Sequence, residues 1–539
     1  MEKAVKILIT GKLHEVALDL LKNQPSELSV SSPLQIVYLP DAPRDIILKE
    51  IVDTNVLISR SETDVDETLL TAGKELRIVA RAAVGYGNIN CDLATDLGIL
   101  VVNTPGKNTN SAAELTFGLL LALIRKIPAA HISTSQGGWN RHHFTGTELG
   151  GKTIGIVGLG NVGHRVAKFA LGFDMRVIAY DPYISDEVFR RNGAERKNTL
   201  EELLAECDVL SVHVPLNKET KGMITEVELK KMRKGAFVLN AARGGIITEK
   251  GLLNALNEGY IAGAGVDTFD NEPKPMAELI KHPNIIVTPH IGASTLEAQF
   301  RIGETIAVQV LKALRGEIVD YPVNLPHVSL LGSGDLRAIS VLAEKSAHVA
   351  AQIFDFHPAT IRLTVTGALK QEDLQILKLS TLKGFLAHAS DEFVSYVNAE
   401  RLLAKRGIKI ELALKNNSLK NELLLEVFGS GANEKVSVGS VLYDGKIARL
   451  CSINDFLFEI EPDGDLIIMQ NHDRPGVIGD VGSYLAKNKV NIAQFELSRN
   501  RRGGMAMSLI RVDGELQSAT INGLRKLPNL ISARLVSGL

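Results

Sequence analysis

Between Thr153 and Asp181 the chain reads TIGIV, GLGNVG, HRVAKFALGF and then DMRVIAYD. An apolar β-branched strand runs into three spaced glycines, and these open a stretch of helical period that leads to a second strand ending in an acid. This order predicts a βαβ unit in which Gly158, Gly160 and Gly163 let backbone amides at a helix start approach a pyrophosphate. Asn161 and Val162 lie in the same turn. Asp181 sits where it can accept hydrogen bonds from ribose hydroxyls and repel an additional phosphate, which favours NAD over NADP. A plain turn-forming role for Asp181 in YDPY is the alternative.

At 539 residues the chain is long enough for about three to four folding units of roughly 150 residues. Lys plus Arg number 60 against 62 Asp plus Glu, for a net charge of −2, and 45% of residues are apolar. No basic block points to nucleic acid. The longest uncharged apolar run, Leu115 to Ile124, falls well short of the roughly 20 residues that span a bilayer. Cys91, Cys207 and Cys451 are too scattered for a disulfide framework or a metal cluster. With MEKAVKILIT entering a strand directly, a cytoplasmic protein with no metal and no membrane partner is expected.

The strands VKILIT, QIVYL, VLISR, LRIVARA and ILVVNTP alternate with helical stretches over the first hundred residues, an α/β pattern. The run SAAELTFGLLLALIR is apolar nearly all round and predicts a buried helix at a domain junction. From Lys152 a second series follows: TIGIVGLG, MRVIAYD, DVLSVHVP, AFVLNAARG, IAGAGVD and NIIVTPH. Strands that are continuous apolar runs mean a parallel sheet covered on both faces. After the proline-bearing VDYPVNLP comes a mixed segment without a chemical motif, about residues 327–460. Beyond it, a βαββαβ pattern of ferredoxin-like order closes the chain.

If AFVLN, IAGAGVD and NIIVTP are parallel strands, Arg243, Glu272 and His290 follow their carboxyl ends and face one crevice, the edge at which doubly wound sheets bind ligands. Hydride transfer to or from a secondary alcohol needs an acid/base, a group that tunes it and a cation for an anionic substrate. His290, Glu272 and Arg243 fit those roles in turn. Singly, each has a plainer reading: His290 as a helix cap, Glu272 as a loop acid, Arg243 as a donor to backbone carbonyls.

The stretches GLGNVG, VLNAARGGIITEKGLLNAL, GAGVDTFDNEP and VTPHIGASTLEAQ resemble the D-isomer-specific 2-hydroxyacid dehydrogenases over about residues 5–326. LKGFLAHASDEFVSYVNAERLLAKRGI and NHDRPGVIGDVGSYLAKNKVNIA resemble the intervening and ACT domains of long members of that family. The resemblance implies a Rossmann domain (106–298) inserted in a flavodoxin-like substrate domain (1–105 and 299–326). An α+β intervening regulatory domain (327–460) and a ferredoxin-like ACT domain (461–539) follow. It puts Arg243, Glu272 and His290 in the catalytic positions, and Val214, Ala241 and Asp267 beside the glycine-rich turn as NAD contacts. Arg60 and Arg81 match phosphate-side arginines, Val84 and Gly85 a carboxylate-binding loop, and Arg141 an arginine that approaches from a neighbouring subunit. In VGYGN, Tyr86 and Gly87 stand where relatives carry a small aliphatic residue and an acid.

The implied activity is NAD-dependent oxidation of 3-phospho-D-glycerate to 3-phosphooxypyruvate, the first step of serine synthesis. Asn471, Asp473 and Asn491 resemble a set that binds serine as an effector, and a homodimer or homotetramer is implied. The alternatives are a reductase of another 2-oxo acid, such as glyoxylate, hydroxypyruvate or 2-oxoglutarate, and an NAD-sensing interaction protein.

Overall fold

The computed structural model describes residues 4–539 except 316, 318, 326–333, 391, 416–420, 432, 515 and 517. The expected boundary at 326/327 lies outside the described residues.

Five parallel strands, β1 (Val5–Ile9), β2 (Leu34–Tyr38), β3 (Val56–Ser59), β4 (Ile78–Arg81) and β5 (Leu100–Val102), form the first sheet in the order β2-β1-β3-β4-β5, the flavodoxin-like arrangement. The chain returns to this sheet late, through the helix Leu296–Leu314. Its Ile302, Ile306 and Val310 are buried with Ile7, Ile9 and Ile58. Thr295 caps that helix by accepting from the Ala298 amide at 3.3 Å.

Between these two passages lies a seven-stranded parallel sheet. It comprises β6 (Thr153–Val157), β7 (Arg176–Tyr180), β8 (Glu195–Arg196), β9 (Val209–Val212), β10 (Ala236–Asn240), β11 (Ile261–Val266) and β12 (Ile285–Val287). Its order, β12-β11-β10-β9-β6-β7-β8, is that of a Rossmann sheet, with the switch point between β6 and β9. The apolar helix Thr109–Ile124 packs against this sheet at β11 and against the helix Asn161–Gly172, burying Phe117, Leu120 and Ile124. It belongs to the core of one domain, and no single helix among the described residues is long and apolar enough to cross a membrane.

A six-stranded mixed sheet follows: β13 (Pro358–Thr366), β14 (Lys409–Lys415), β15 (Asn421–Gly429), β16 (Lys435–Tyr443), β17 (Ile447–Ile453) and β18 (Phe456–Ile460). The helices Gly334–Ala351 and Leu374–Ala389 share its core. The last unit has β19 (Asp465–His472), β20 (Asn491–Arg499), β21 (Met505–Asp513) and β22 (Leu530–Val536) in the antiparallel order β20-β21-β19-β22. One face of that sheet packs Ile467, Met469, Ile510 and Val512 against Val481, Leu485 and Leu524 of its two helices. The other face, with Leu466, Ile468, Met507, Leu509 and Val536, is buried in the same core as Leu363, Val438 and Ile460 of the preceding domain.

The intervening domain grips the first sheet's domain through polar contacts. Ser395 Oγ donates to the Gly98 carbonyl at 2.9 Å, and Arg401 Nη2 to the Asp96 carbonyl at 2.8 Å. Arg401 also pairs with the Asp96 carboxylate. Gly98, at φ +73°, leaves room for Asn398, whose Nδ2 would lie 2.5 Å from a Cβ at that position.

Candidate active site

The glycine pattern has a distinct reason at each position. Gly158 has φ +89°, and a Cβ there would meet Val214 Cγ1 at 2.7 Å. A Cβ on Gly163 would come 2.1 Å from the Gly158 carbonyl, so helix and strand meet too closely for any other residue. A Cβ on Gly160 would meet nothing within 4 Å, so the turn has open space above it. Gly160 is the N-cap of the helix Asn161–Gly172 and makes no side-chain cap, so first-turn amides from Asn161 and Val162 onward are presented to that space. Asp181 Oδ2 accepts from the Leu159 amide at 3.0 Å and Oδ1 from Tyr183 at 3.1 Å. Its carboxylate thus braces both the glycine-rich loop and its own turn. A cradle that only glycine permits, with donors facing open space and an acid at the next strand end, fits a dinucleotide. Val214 and Ala241 follow β9 and β10 on the same edge.

Further along that edge, Glu272 and His290 meet: His290 Nδ1 lies 2.7 Å from Glu272 Oε2. The other carboxylate oxygen accepts from the Phe269 amide at 2.9 Å. Burial opposes ionisation of Glu272, but the hydrogen bonds from His290 and Phe269, with the charges of His290 and Arg243, outweigh it and lower its pKa from the usual glutamate value. An ionised carboxylate only accepts, so Nδ1 carries the proton and Nε2 is left for a substrate. The pair lines a cavity of about 300 Å³ together with Phe269, Pro273, Val287 and Pro289.

His290 itself has φ +55°, unusual for a residue with a Cβ. Asp267 explains how it is held there. Fully buried, its carboxylate accepts from Thr288 Oγ1 at 2.6 Å and from the amides of Ile291 at 2.8 Å and Gly292 at 2.9 Å. Burial raises the Asp267 pKa against these hydrogen bonds. The side chain expected to contact the cofactor spends its acceptors on the histidine loop.

Arg243 completes the edge. Asn240, at the end of β10, bonds on both sides of it, its Nδ2 to the Arg243 carbonyl at 2.9 Å and its Oδ1 from the Ala242 amide at 3.2 Å. Arg243 Nη1 donates to the Ala242 carbonyl at 2.6 Å, and Nη2 would lie 2.8 Å from a Cβ placed on Gly85. Burial lowers the Arg243 pKa, opposed by the charge of Glu272. The Val84–Gly85 loop of the first domain therefore meets the guanidinium across the interdomain cleft. Asn103 Nδ2 holds the Val84 carbonyl at 2.7 Å. Tyr86, unusual in that loop, is exposed.

The two arginines expected on the phosphate side part company. Arg60 is half-buried, and its Nη1 donates to the Lys12 carbonyl at 2.9 Å and to Gln299 Oε1 at 2.5 Å. Arg81, expected to reach into the cleft, turns inward and is fully buried. Its guanidinium donates to the Arg60 carbonyl, to the Thr63 carbonyl at 3.4 Å and to Asn88 Oδ1 at 2.6 Å. Burial brings its pKa down to about 10. Asn88 in turn bonds the Ser61 and Thr63 carbonyls at 2.9 and 3.1 Å, so Arg81 stitches the Arg60 loop to the Gly85 loop from beneath. Arg141 is exposed in the turn Arg141–Phe144, and no hydrogen bond or ion pair among the described residues joins it to the triad.

The three residues expected to hold an effector do not meet in one chain. Asn471 pairs with Ala506 across β19 and β21, whereas Asn491 pairs with Asp513 across β20 and β21. Seven residues of strand, about 23 Å at 3.3 Å each, separate those positions. Asn471 is buried, with Oδ1 lacking a partner among the described residues, Asp473 accepts from Arg499 at 3.1 Å and Gly503 at 2.9 Å, and Asn491 donates to Asp513 at 2.5 Å.

Sequence reasoning missed Asn240, Asn88, Asn103 and Gln299. Asn240 and Asn103 stand out only as polar residues at or just past the ends of apolar strand runs, and Asn88 only as a polar residue in the loop after β4.

A dinucleotide edge that ends in a histidine–carboxylate pair beside a half-buried arginine is what oxidation of a 2-hydroxy acid demands, and the chain is an NAD-dependent dehydrogenase of that class. Residues 117–292 match the D-isomer specific 2-hydroxyacid dehydrogenase NAD binding domain, 335–454 the D-3-phosphoglycerate dehydrogenase intervening domain and 466–529 the ACT domain. The chain is 35% identical to the D-3-phosphoglycerate dehydrogenase of Methanocaldococcus jannaschii over 533 residues, 99% of this chain and 100% of that one. It is 37% identical to that of Mycobacterium tuberculosis over 516 residues, 95% of each. Among solved structures, a D-lactate dehydrogenase from Aquifex aeolicus complexed with NAD and lactic acid is 27% identical. That match has a TM-score of 0.52 and covers 60% of this chain and 99% of that one. The chain belongs to the D-3-phosphoglycerate dehydrogenase family, within the D-isomer specific 2-hydroxyacid dehydrogenases.

Proposed function

We propose that the protein oxidises 3-phospho-D-glycerate to 3-phosphooxypyruvate, the first step of serine synthesis. The observation that carries this reading is the His290–Glu272 pair, 2.7 Å apart, sharing an edge with Arg243 while Arg60 lies on the facing domain. NAD, when bound on the glycine-rich turn, supplies the hydride acceptor. His290 Nε2 takes the hydroxyl proton, and the Glu272 carboxylate stabilises the imidazolium that forms. Arg243 and the Val84–Gly85 backbone hold the substrate carboxylate and orient the carbon that loses hydride. Arg60 meets the phosphate, and Arg81 fixes the backbone of its loop.

Initial rates with 3-phosphohydroxypyruvate, hydroxypyruvate and glyoxylate, with NADH, test this reading. Charge-assisted bonds of about 1.5–3 kcal/mol predict a preference for the phosphorylated acid of roughly 10- to 150-fold in kcat/KM. Equal values would sink phosphate recognition and favour another 2-oxo acid. Negligible turnover with tight NADH binding would favour an NAD-sensing role.

Serine is the proposed effector, and Asn471 and Asp473 of one copy would meet Asn491 of a second, which makes the protein a homo-oligomer, dimer or tetramer. Calorimetry of serine with the full chain, wild type and Asn491→Ala, checks this. An unchanged affinity in the variant removes Asn491 from the site. Three unpaired cysteines support a cytoplasmic location.

A further inference from the structure

Gln299 lies one turn into the helix Leu296–Leu314, where its amide bonds to the capping Thr295 carbonyl at 2.9 Å, so its backbone is fixed. Its side chain is committed at both ends. Nε2 donates to the Ala293 carbonyl at 2.7 Å, and Oε1 accepts from Arg60 Nη1 at 2.5 Å. Ala293 directly follows Ile291 and Gly292, whose amides the buried Asp267 holds. One amide group therefore runs from the stretch that carries His290 to the arginine of the opposite domain.

Arg60 depends on that tie. Its aliphatic stem lies against Gly11, where a Cβ would come within 2.6 Å of Arg60 Cγ, and its Nε is buried without a partner. The backbone beneath it is fixed by Arg81. With Nη1 anchored on Gln299 and Lys12 and Nε buried, Nη2 is the guanidinium nitrogen left to meet a phosphate oxygen. The anchor is neutral, which matters. A carboxylate at the same place would hold Arg60 equally well but cancel the charge a phosphate needs, and it could not donate to Ala293.

We propose that Gln299 is the positioning residue that aims Arg60 at the substrate phosphate, and so sets the preference for a phosphorylated 2-hydroxy acid. This rests on the reading that Arg60 meets that phosphate. Gln299→Met and Gln299→Glu are compared with wild type in the full chain by steady-state rates with 3-phosphohydroxypyruvate and hydroxypyruvate, with NADH affinity and thermal unfolding followed alongside. The expected result is a KM for the phosphorylated acid about tenfold higher in Gln299→Met and higher still in Gln299→Glu. Its kcat changes less, and kcat/KM for hydroxypyruvate stays within twofold. If Gln299→Met fails to fold, Gln299→Glu, which keeps the acceptor for Arg60, carries the test alone. A wild type that does not discriminate between the acids removes the reading of Arg60 and the inference with it. A discriminating wild type whose variants keep that ratio within twofold, or lose rate equally on both acids, overturns the inference and leaves the reading of Arg60 in place.

Discussion

Replacing Gly85 with alanine places a methyl group against Arg243, the cation proposed to orient the substrate. The new Cβ would sit 2.8 Å from Arg243 Nη2, about 0.7 Å inside the ~3.5 Å at which such atoms rest. The loop cannot give way easily: Asn103 holds the Val84 carbonyl at 2.7 Å, and Asn88 is tied to the buried Arg81 at 2.6 Å. The guanidinium must therefore move, and it must move away from the carboxylate it serves. Misplacement approaching 1 Å costs up to about a hundredfold in rate, and loss of a charge-assisted bond about 1.5–3 kcal/mol. We expect kcat/KM for 3-phosphohydroxypyruvate to fall roughly 10- to 100-fold. NADH affinity, measured by fluorescence titration, should hold within twofold, because Gly85 lies on the opposite domain from the glycine-rich turn. A kcat/KM within threefold of wild type would refute the argument that this contact sets the position of Arg243.

His290→Gln should lower turnover by about 10²- to 10⁴-fold with NADH binding intact, and near-normal turnover would remove His290 from proton transfer. Because the Glu272 pKa is lowered in the folded state, its contribution to stability is present above the unfolded glutamate value and fades as pH falls through the folded one. Acid unfolding followed by circular dichroism should therefore show wild type losing more stability than Glu272→Gln as pH drops below about 4.3. Parallel curves would mean the pair does not bias folding. Asp181→Ala removes the acceptor for the Leu159 amide and the proposed ribose partner, so KM for NAD should rise about tenfold while discrimination against NADP shrinks. Unchanged cofactor preference would leave Asp181 as a turn former.

The two parallel sheets were legible because strands buried on both faces read as unbroken apolar runs, and the glycine-rich turn because its spaced glycines fall between a strand and a helix, where Gly158 and Gly163 each leave no room for a Cβ. The triad was legible by position alone, since residues just past successive strand ends must share an edge. Side-chain direction was not: Arg60 follows β3 and Arg81 ends β4, yet one is half-buried with its guanidinium on Lys12 and Gln299 and the other is buried under backbone carbonyls. In the segment 327–460 the runs TIRLTVTG, LLLEVFGSG and KIARLC point to β13, β15 and β17, whereas β14, β16 and β18, like the two-residue β8, give no such signal. In β16, Gly439 and Ser440 interrupt the apolar pattern, and β18 has only five residues, FLFEI, too few for alternation to speak clearly. Asn471 and Asn491 sit at opposite ends of one sheet, a fact of strand register that spacing along the chain does not encode.

The last two domains are joined through one hydrophobic seam, with Leu466, Leu509 and Val536 sunk among Leu363, Val438 and Ile460. Their hold on the dehydrogenase half is of another kind, and includes a serine hydroxyl, an arginine, a glycine that lets Asn398 sit close, the Arg77 guanidinium over the Phe393 ring at 4.1 Å and the Arg337–Glu317 pair at 3.1 Å. The joint between the last two domains is sealed by apolar side chains, whereas the bonds at Asp96 to Gly98 lie where water can replace them. A displacement of the paired domains would therefore bear on the end of the short helix Cys91–Asp96, whose other end opens directly from the loop that faces Arg243.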